Sequence, residues 1–134
     1  SLYCQNHGIE LLVVADGKLL SFMDVADICT VFGNALDNAI ECERKIPDRS
    51  RRIIRLVLSA QKQFLLLKVE NYCPFLMEFR DGLPRSTKGD PENHGFGLKS
   101  IRYTAQKYGG SITTGIEDDW FVLKMLIPLR STEG

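Results

Sequence analysis

In residues 33–41, GNALDNAIE, two asparagines stand four positions apart, with Asp37 beside the second and Glu41 just beyond. Offsets of three, four and seven put Asn34, Asp37, Asn38 and Glu41 on one face of a helix. Asparagine is a mediocre helix former, because its amide competes for nearby backbone groups. A merely solvated stripe would normally be built from Glu and Lys. Asn38 offers a neutral oxygen, which suits a Mg²⁺ ion already carrying phosphate oxygens and water. A second stretch, HGFGLKS at residues 94–100, places glycines just before a helix start. The first N–H groups of a helix lack internal partners and, with the dipole, favour phosphate. Gly95 and Gly97 would let the backbone approach a ligand with no Cβ in the way. A third, KVENYCP at residues 68–74, ends a strand in Asn71, whose amide could hydrogen-bond a base edge. Each has a plainer reading by itself: a solvated face, a hinge or tight turn, and a turn-forming asparagine.

Those side chains must be held by a folded unit, and 134 residues suffice for one domain with a real core. Lys+Arg and Asp+Glu are both 17, so bulk electrostatic binding to nucleic acid or an anionic membrane is not expected. No run approaches the ~20 apolar residues of a membrane helix, and no signal peptide opens the chain. Cys4, Cys29, Cys42 and Cys73 form no CxxC pair and have no His cluster beside them, which reads as reduced, mostly buried thiols rather than a zinc site. The sequence starts without Met and runs almost at once into a strand-like segment, as expected of a piece of a longer protein.

Residues 8–16 read as a strand, Asp16-Gly17 as a turn and KLLSF as a short return strand. Asp24 is a candidate N-cap. From Val25 to about Arg44, Ile28, Phe32, Ala35, Ala39 and Cys42 recur at helical spacing, and Pro47 lies at or beyond the end. Alternation over Ile54, Leu56, Leu58 and over Leu65, Leu67, Val69 predicts two strands around a turn at residues 60–63. About twenty-four residues with three prolines follow, a length that is usually functional or disordered in a compact domain. A second helix carries Leu98, Ile101, Ala105 and Tyr108 on one face, with its N-terminus at residues 96–99 and Gly109-Gly110 as its cap. SITTGIEDDWFVLKMLIPL reads as a closing hairpin that turns near Glu117, Asp118 and Asp119. The order predicts an α+β fold, an antiparallel-rich sheet with helices on one face.

Taken in order, an Asn-rich helix, a strand ending in a polar residue, a long loop and a Gly-rich helix start resemble the GHKL superfamily, the ATP-binding fold of gyrase, MutL and histidine kinases. The resemblance spans residues 25–128. GNALDNAIE looks like the N box, VEN like a reduced first glycine box, and STKGDPENHGFGLKSI like the lid with the second glycine box. The combination is most similar to the quorum-sensing peptide-receptor kinases of Gram-positive bacteria, membrane sensors that signal to response regulators with LytTR-type DNA-binding domains. It implies a Bergerat-fold two-layer α/β sandwich, with residues 1–134 as one catalytic and ATP-binding domain.

The resemblance assigns roles residue by residue. Asn38 matches the asparagine that chelates the Mg²⁺ bridging the nucleotide phosphates. Asn34 stands where the ATPase branches carry a water-activating glutamate. An amide cannot be a general base, which suits a kinase that must save the γ-phosphoryl for a protein histidine. Asn71 falls where most members have the adenine-binding aspartate, and no glycine follows it in NYCPF. Gly95, Phe96, Gly97 and Leu98 are expected around the phosphates, with Lys88 reaching the β- or γ-phosphate as a point charge. Thr87 and His94 are expected to line the same mouth, His94 as a lid contact rather than a base. Glu41 stands where many histidine kinases place a basic residue, so another group must supply that charge.

Neither His7 nor His94 is expected to be the phosphoacceptor. The resemblance therefore implies ATP and Mg²⁺ as cofactors, and as partners a phosphoacceptor histidine domain of the same full-length protein and a response regulator, with no nucleic acid. A monomeric piece of a homodimeric protein is expected, lying on the cytoplasmic side of a membrane-anchored sensor and not phosphorylating itself alone. Two other readings stay open: a degenerate GHKL module without phosphotransfer, and an anti-sigma-type serine kinase.

Overall fold

The computed structural model describes residues 2–85 and 93–129. A short helix α1 (Leu2–Asn6), not foreseen from the sequence, precedes strand β1 (Glu10–Ala15). The expected return strand is instead a 3-10 helix, Gly17–Leu20, whose start is closed by Lys18 N–H donating to Asp16 Oδ1 (3.1 Å). A local Asx turn satisfies the backbone there before any strand can pair.

Helix α2 spans Val25–Arg44 and buries Val31, Ala35, Ala39 and Cys42 at spacings of three and four. Asp24 is its N-cap residue but makes no side-chain cap; its backbone N–H donates to the Tyr108 hydroxyl (3.0 Å). Beyond the C-terminus, Arg52 donates to the carbonyls of Ile46 (2.9 Å), His7 (2.7 Å) and Arg44 (3.3 Å), the last of them in the final turn of the helix, where carbonyls lack helical partners.

Strands β2 (Ile53–Gln61) and β3 (Phe64–Tyr72) form a hairpin around Lys62 and Gln63. The long loop is partly structured: β4 (Phe79–Arg80) and β5 (Leu83–Pro84) make a small hairpin that sends Leu83 into the core. Arg102 donates to Asp81 O (2.7 Å) and the Thr114 hydroxyl to Gly82 O, tying that hairpin to its neighbours. Helix α3 (Asn93–Lys107) is followed by β6 (Ser111–Glu117) and β7 (Trp120–Pro128). Asp118 and Asp119 both have positive φ, 50° and 66°, the backbone of a two-residue I′ turn.

The main sheet runs β1-β2-β3-β7-β6. Only β1 and β2 are parallel, because α2 crosses between them; the other pairs are antiparallel. Helices α2 and α3 cover one face, where Ile54, Leu56, Leu65, Leu67, Phe121, Leu123 and Met125 are buried with Leu98, Ile101 and Ala105. The other face carries Arg55 and Lys68 beside Glu70 (3.6 and 3.8 Å), with Arg55 over the Trp120 ring (4.4 Å to the centroid). The expected α+β sandwich, with a mixed, mostly antiparallel sheet and helices on one face, is the architecture seen.

Candidate functional site

Asn34 and Asn38 lie half-buried on α2, one turn apart, while Asp37 between them is exposed. Asn34 donates from Nδ2 to Thr30 O (2.8 Å), one turn back along its own helix. Its Oδ1 faces α3 instead, where a Cβ placed on Gly97 would come within 3.2 Å of it. Glycine at 97 thus lets α3 approach the asparagine face of α2 closely, and two stretches far apart in sequence meet there.

Helix α3 begins at Asn93, earlier than the start expected at residues 96–99. Gly95 and Gly97 therefore lie inside its first two turns rather than ahead of it. The N–H groups lacking helical partners are those of Asn93, His94, Gly95 and Phe96. A helix can take up a polar residue such as Asn93, so its start does not have to coincide with the glycines. Leu98 sends its side chain into the core and is 1% exposed. Thr87 and Lys88 lie outside the described residues, as do the side chains of His94 and Phe96.

Asn71, next to last in β3, keeps the register of Leu65, Leu67 and Val69, so its amide points into the helix-covered layer and is 1% exposed. Its partner there is Glu43, from the last turn of α2 and fully buried, which the sequence reading missed. Asn71 Nδ2 donates to Glu43 Oε2 (2.9 Å) and to Tyr72 O (3.4 Å), while Ile53 N–H donates to Glu43 Oε1 (2.9 Å). The available sequence signal was a charged residue one position after Cys42, inside the apolar set of α2.

Burial pushes the Glu43 carboxyl up to about 7, against the opposing pull of the Asn71 and Ile53 donors. The folded state thus holds this proton where the unfolded chain has lost it. The stabilisation is full below the ordinary value of 4.5 and disappears as pH rises towards about 7. In thermal melts, wild type is expected to lose ground against Glu43→Gln across that window, with a constant difference above it. Parallel melting curves at all pH values would refute this.

Cys42, one turn after Asn38, lies against the same cluster; its Sγ donates to Tyr72 O (3.9 Å). The neighbouring Cys73 and burial raise the Cys42 thiol, while Cys42 lowers that of Cys73. Cys4, Cys42 and Cys73 are buried and Cys29 is exposed. Asn34, Asn38 and Cys42 thus form one helix face leading from the Gly97 contact to the Asn71–Glu43 pair.

The two helices are also joined at the opposite end of α2. Asp27 accepts from Lys107 Nζ (2.8 Å) and from the Tyr108 hydroxyl (2.6 Å). Both bonds hold the Asp27 carboxyl below its ordinary value, Lys107 most strongly. This contribution is present above the usual carboxylate range and is lost as pH falls through the depressed value. Asp27→Asn is expected to lower the melting temperature at neutral pH and to have progressively less effect as acid protonates wild type. An undiminished difference under acid conditions would refute the assignment.

The GHKL family model matches residues 23–128 of this chain, most of its length and every described residue of the Asn34–Asn38–Asn71–Gly97 set. The chain belongs to the GHKL domain family. Against the curated proteins, no match is found. Among solved structures, this GHKL domain resembles the nucleotide-free catalytic domain of histidine kinase ThkA at a TM-score of 0.69 and 20% identity, covering 96% of this chain and 84% of that one. It also resembles the Acinetobacter baumannii histidine kinase AdeS (TM-score 0.62, 16% identity, 97% of this chain and 61% of that one). A third likeness is to the histidine kinase domain of a blue-light activated kinase from Erythrobacter litoralis (TM-score 0.62, 18% identity, 96% and 56%). At these identities the likeness is one of fold: the GHKL domain has the architecture of histidine kinase catalytic domains.

Proposed function

We propose that this chain is the ATP·Mg²⁺-binding catalytic domain of a sensor histidine kinase of a two-component system, donating the γ-phosphoryl group to a histidine on another domain of its full-length protein. The observation carrying this reading is the convergence of Asn34 with Gly97, and of Asn71 with the far end of the same helix face, in a chain of the GHKL family.

The donor set fits a metal that arrives with its substrate. Around Asn38 the helix offers neutral amide oxygens, and among the described residues no three His, Cys, Asp or Glu are grouped to hold a metal. Such a site suits an ion whose other ligands are phosphate oxygens and water. When bound, Mg²⁺ would neutralise charge developing on the phosphates. Asn38 would hold it, and Asn34 would line the same face without taking a proton from water. Gly97 keeps the space beside Asn34 clear of a Cβ. Asn71 would read the base. Lys88 is proposed to reach the phosphates, with Thr87 and His94 at the mouth and the backbone of Gly95, Phe96 and Leu98 beside it.

The remaining partners follow from that reading: a histidine-bearing dimerising domain, a response regulator of LytTR type, and a cytoplasmic position in a membrane-anchored, quorum-sensing protein. Among the described residues, no helix is long and apolar enough to cross a membrane. A degenerate module without phosphotransfer is the second reading, favoured by the missing glycines after Asn71.

The test is calorimetric titration with a non-hydrolysable ATP analogue, with and without Mg²⁺, followed by incubation of the domain with γ-labelled ATP and the histidine-bearing domain in trans. Mg²⁺-dependent binding, no label on this chain alone and label on the added histidine are expected. Binding without transfer would establish the degenerate module instead.

A further inference from the structure

We propose that Glu43 is a positioning residue that locks the Asn71 amide so that it offers a ligand only a hydrogen-bond acceptor, making the site select a 6-amino purine over a 6-oxo purine. This rests on the nucleotide reading above and specifies the base it takes. A free asparagine side chain is ambiguous, since its amide both donates and accepts and can be turned over. Here that freedom is removed. The Asn71 amide nitrogen faces protein acceptors, Glu43 Oε2 at 2.9 Å and Tyr72 O at 3.4 Å, with the Cys42 thiol against the same side chain. What the side chain has left to offer is its carbonyl oxygen, the same polarity an aspartate would present.

Glu43 cannot itself turn round. Its other oxygen accepts from Ile53 N–H, a backbone donor at the start of β2, where Ile53 pairs with Glu10 of β1. The carboxylate is fully buried on the last turn of α2, with the Arg52 guanidinium, Cys73 and Cys42 as its ionisable neighbours. A purine bearing an exocyclic amine can donate to the remaining oxygen of Asn71. A purine with a carbonyl at that position would set acceptor against acceptor in a desolvated place, leaving both groups without a partner.

Glu43→Gln turns this arrangement into a test. The introduced amide must keep its oxygen towards Ile53 N–H, because the backbone donor does not reverse. Its nitrogen then faces Asn71, which must turn its own Oδ1 inwards and present its amine to the ligand. Binding of ADP·Mg²⁺ and of inosine diphosphate·Mg²⁺ would be measured by calorimetry at about pH 8, above the Glu43 value of about 7. Wild type is expected to favour ADP by about tenfold or more. Glu43→Gln is expected to remove or invert that preference. The double variant Glu43→Gln/Asn71→Asp should restore it, because the introduced carboxylate would accept from the introduced amide with one oxygen and present the other. A merely structural Glu43 would weaken both nucleotides alike and show no such rescue.

Solution NMR of wild type supplies a readout that needs no variant. The Asn71 side-chain NH₂ protons are expected to exchange slowly, and rapid exchange would overturn the proposal. So would wild type binding both nucleotides equally, or Glu43→Gln keeping the wild-type ratio. Wild type binding neither nucleotide would instead refute the nucleotide reading, and this proposal with it.

Discussion

Asn38→Ala is expected to abolish Mg²⁺-dependent binding of a non-hydrolysable ATP analogue while leaving the fold intact. Asn38 is half-buried on the middle of α2, one turn before Cys42 and one turn after Asn34, and it is absent from the buried core. Alanine there is a better helix former than asparagine, so α2 should be at least as stable as in wild type. The loss falls on the ligand. Removing a residue that merely orients a metal ligand costs about 10- to 100-fold in metal affinity, so removing the proposed protein ligand itself should cost at least about a hundredfold. The measurement is a titration with and without Mg²⁺ on both proteins, with melting curves as the control. A variant that binds with wild-type affinity and the same Mg²⁺ dependence would remove Asn38 from the site.

The largest effect on stability is expected at Gly110. Helix α3 ends in a Schellman arrangement: Gly110 N–H donates to Ala105 O (2.8 Å) and Gly109 N–H to Gln106 O (2.9 Å). The two glycines serve different purposes. Gly109 has φ +79° and open space around a would-be Cβ, so it answers a backbone requirement. Gly110 answers a packing one, because a Cβ there would lie 2.1 Å from Leu126 O and 3.0 Å from Ile127 Cα. Both are backbone atoms of β7, paired on both sides, and no side-chain rotation relieves the overlap. Gly110→Ala should therefore cost about 3 kcal/mol or more, beyond the ordinary range for overpacking. Gly109→Ala should cost only the left-handed conformation, about 1–2 kcal/mol. Denaturant unfolding of the two variants checks this, and equal losses would show that β7 gives way.

The boundaries of α2 were legible because its signals agree: apolar residues at helical spacing, Asp24 ahead of it and Pro47 behind it. The β2–β3 and β6–β7 hairpins were legible from alternation, which has a period of two whatever the neighbours do. Other features carried no local signal. Residues 18–22 look like a strand by composition, but a strand needs a partner, and the Asp16 side chain closes a 3-10 turn first. The start of α3 was read from its glycines, whereas helix onset depends on the residues ahead of them. The β4–β5 hairpin is held by Leu83 in the core and by Arg102 and Thr114 from other elements.

The sequence by itself determined the family, the order of the two long helices and the two long hairpins, and the asparagine face, because motif residues and periodicity are properties of neighbours along the chain. Only the tertiary structure decided what the polar residues do to one another. Glu43 and Asn71 meet because β3 runs antiparallel to β2 in a register that sets Ile54 opposite Asn71, under the last turn of α2. Cys42 and Cys73 meet for the same reason. Burial then makes those contacts consequential: in a layer without water, the direction of one amide is fixed by whichever partner cannot move.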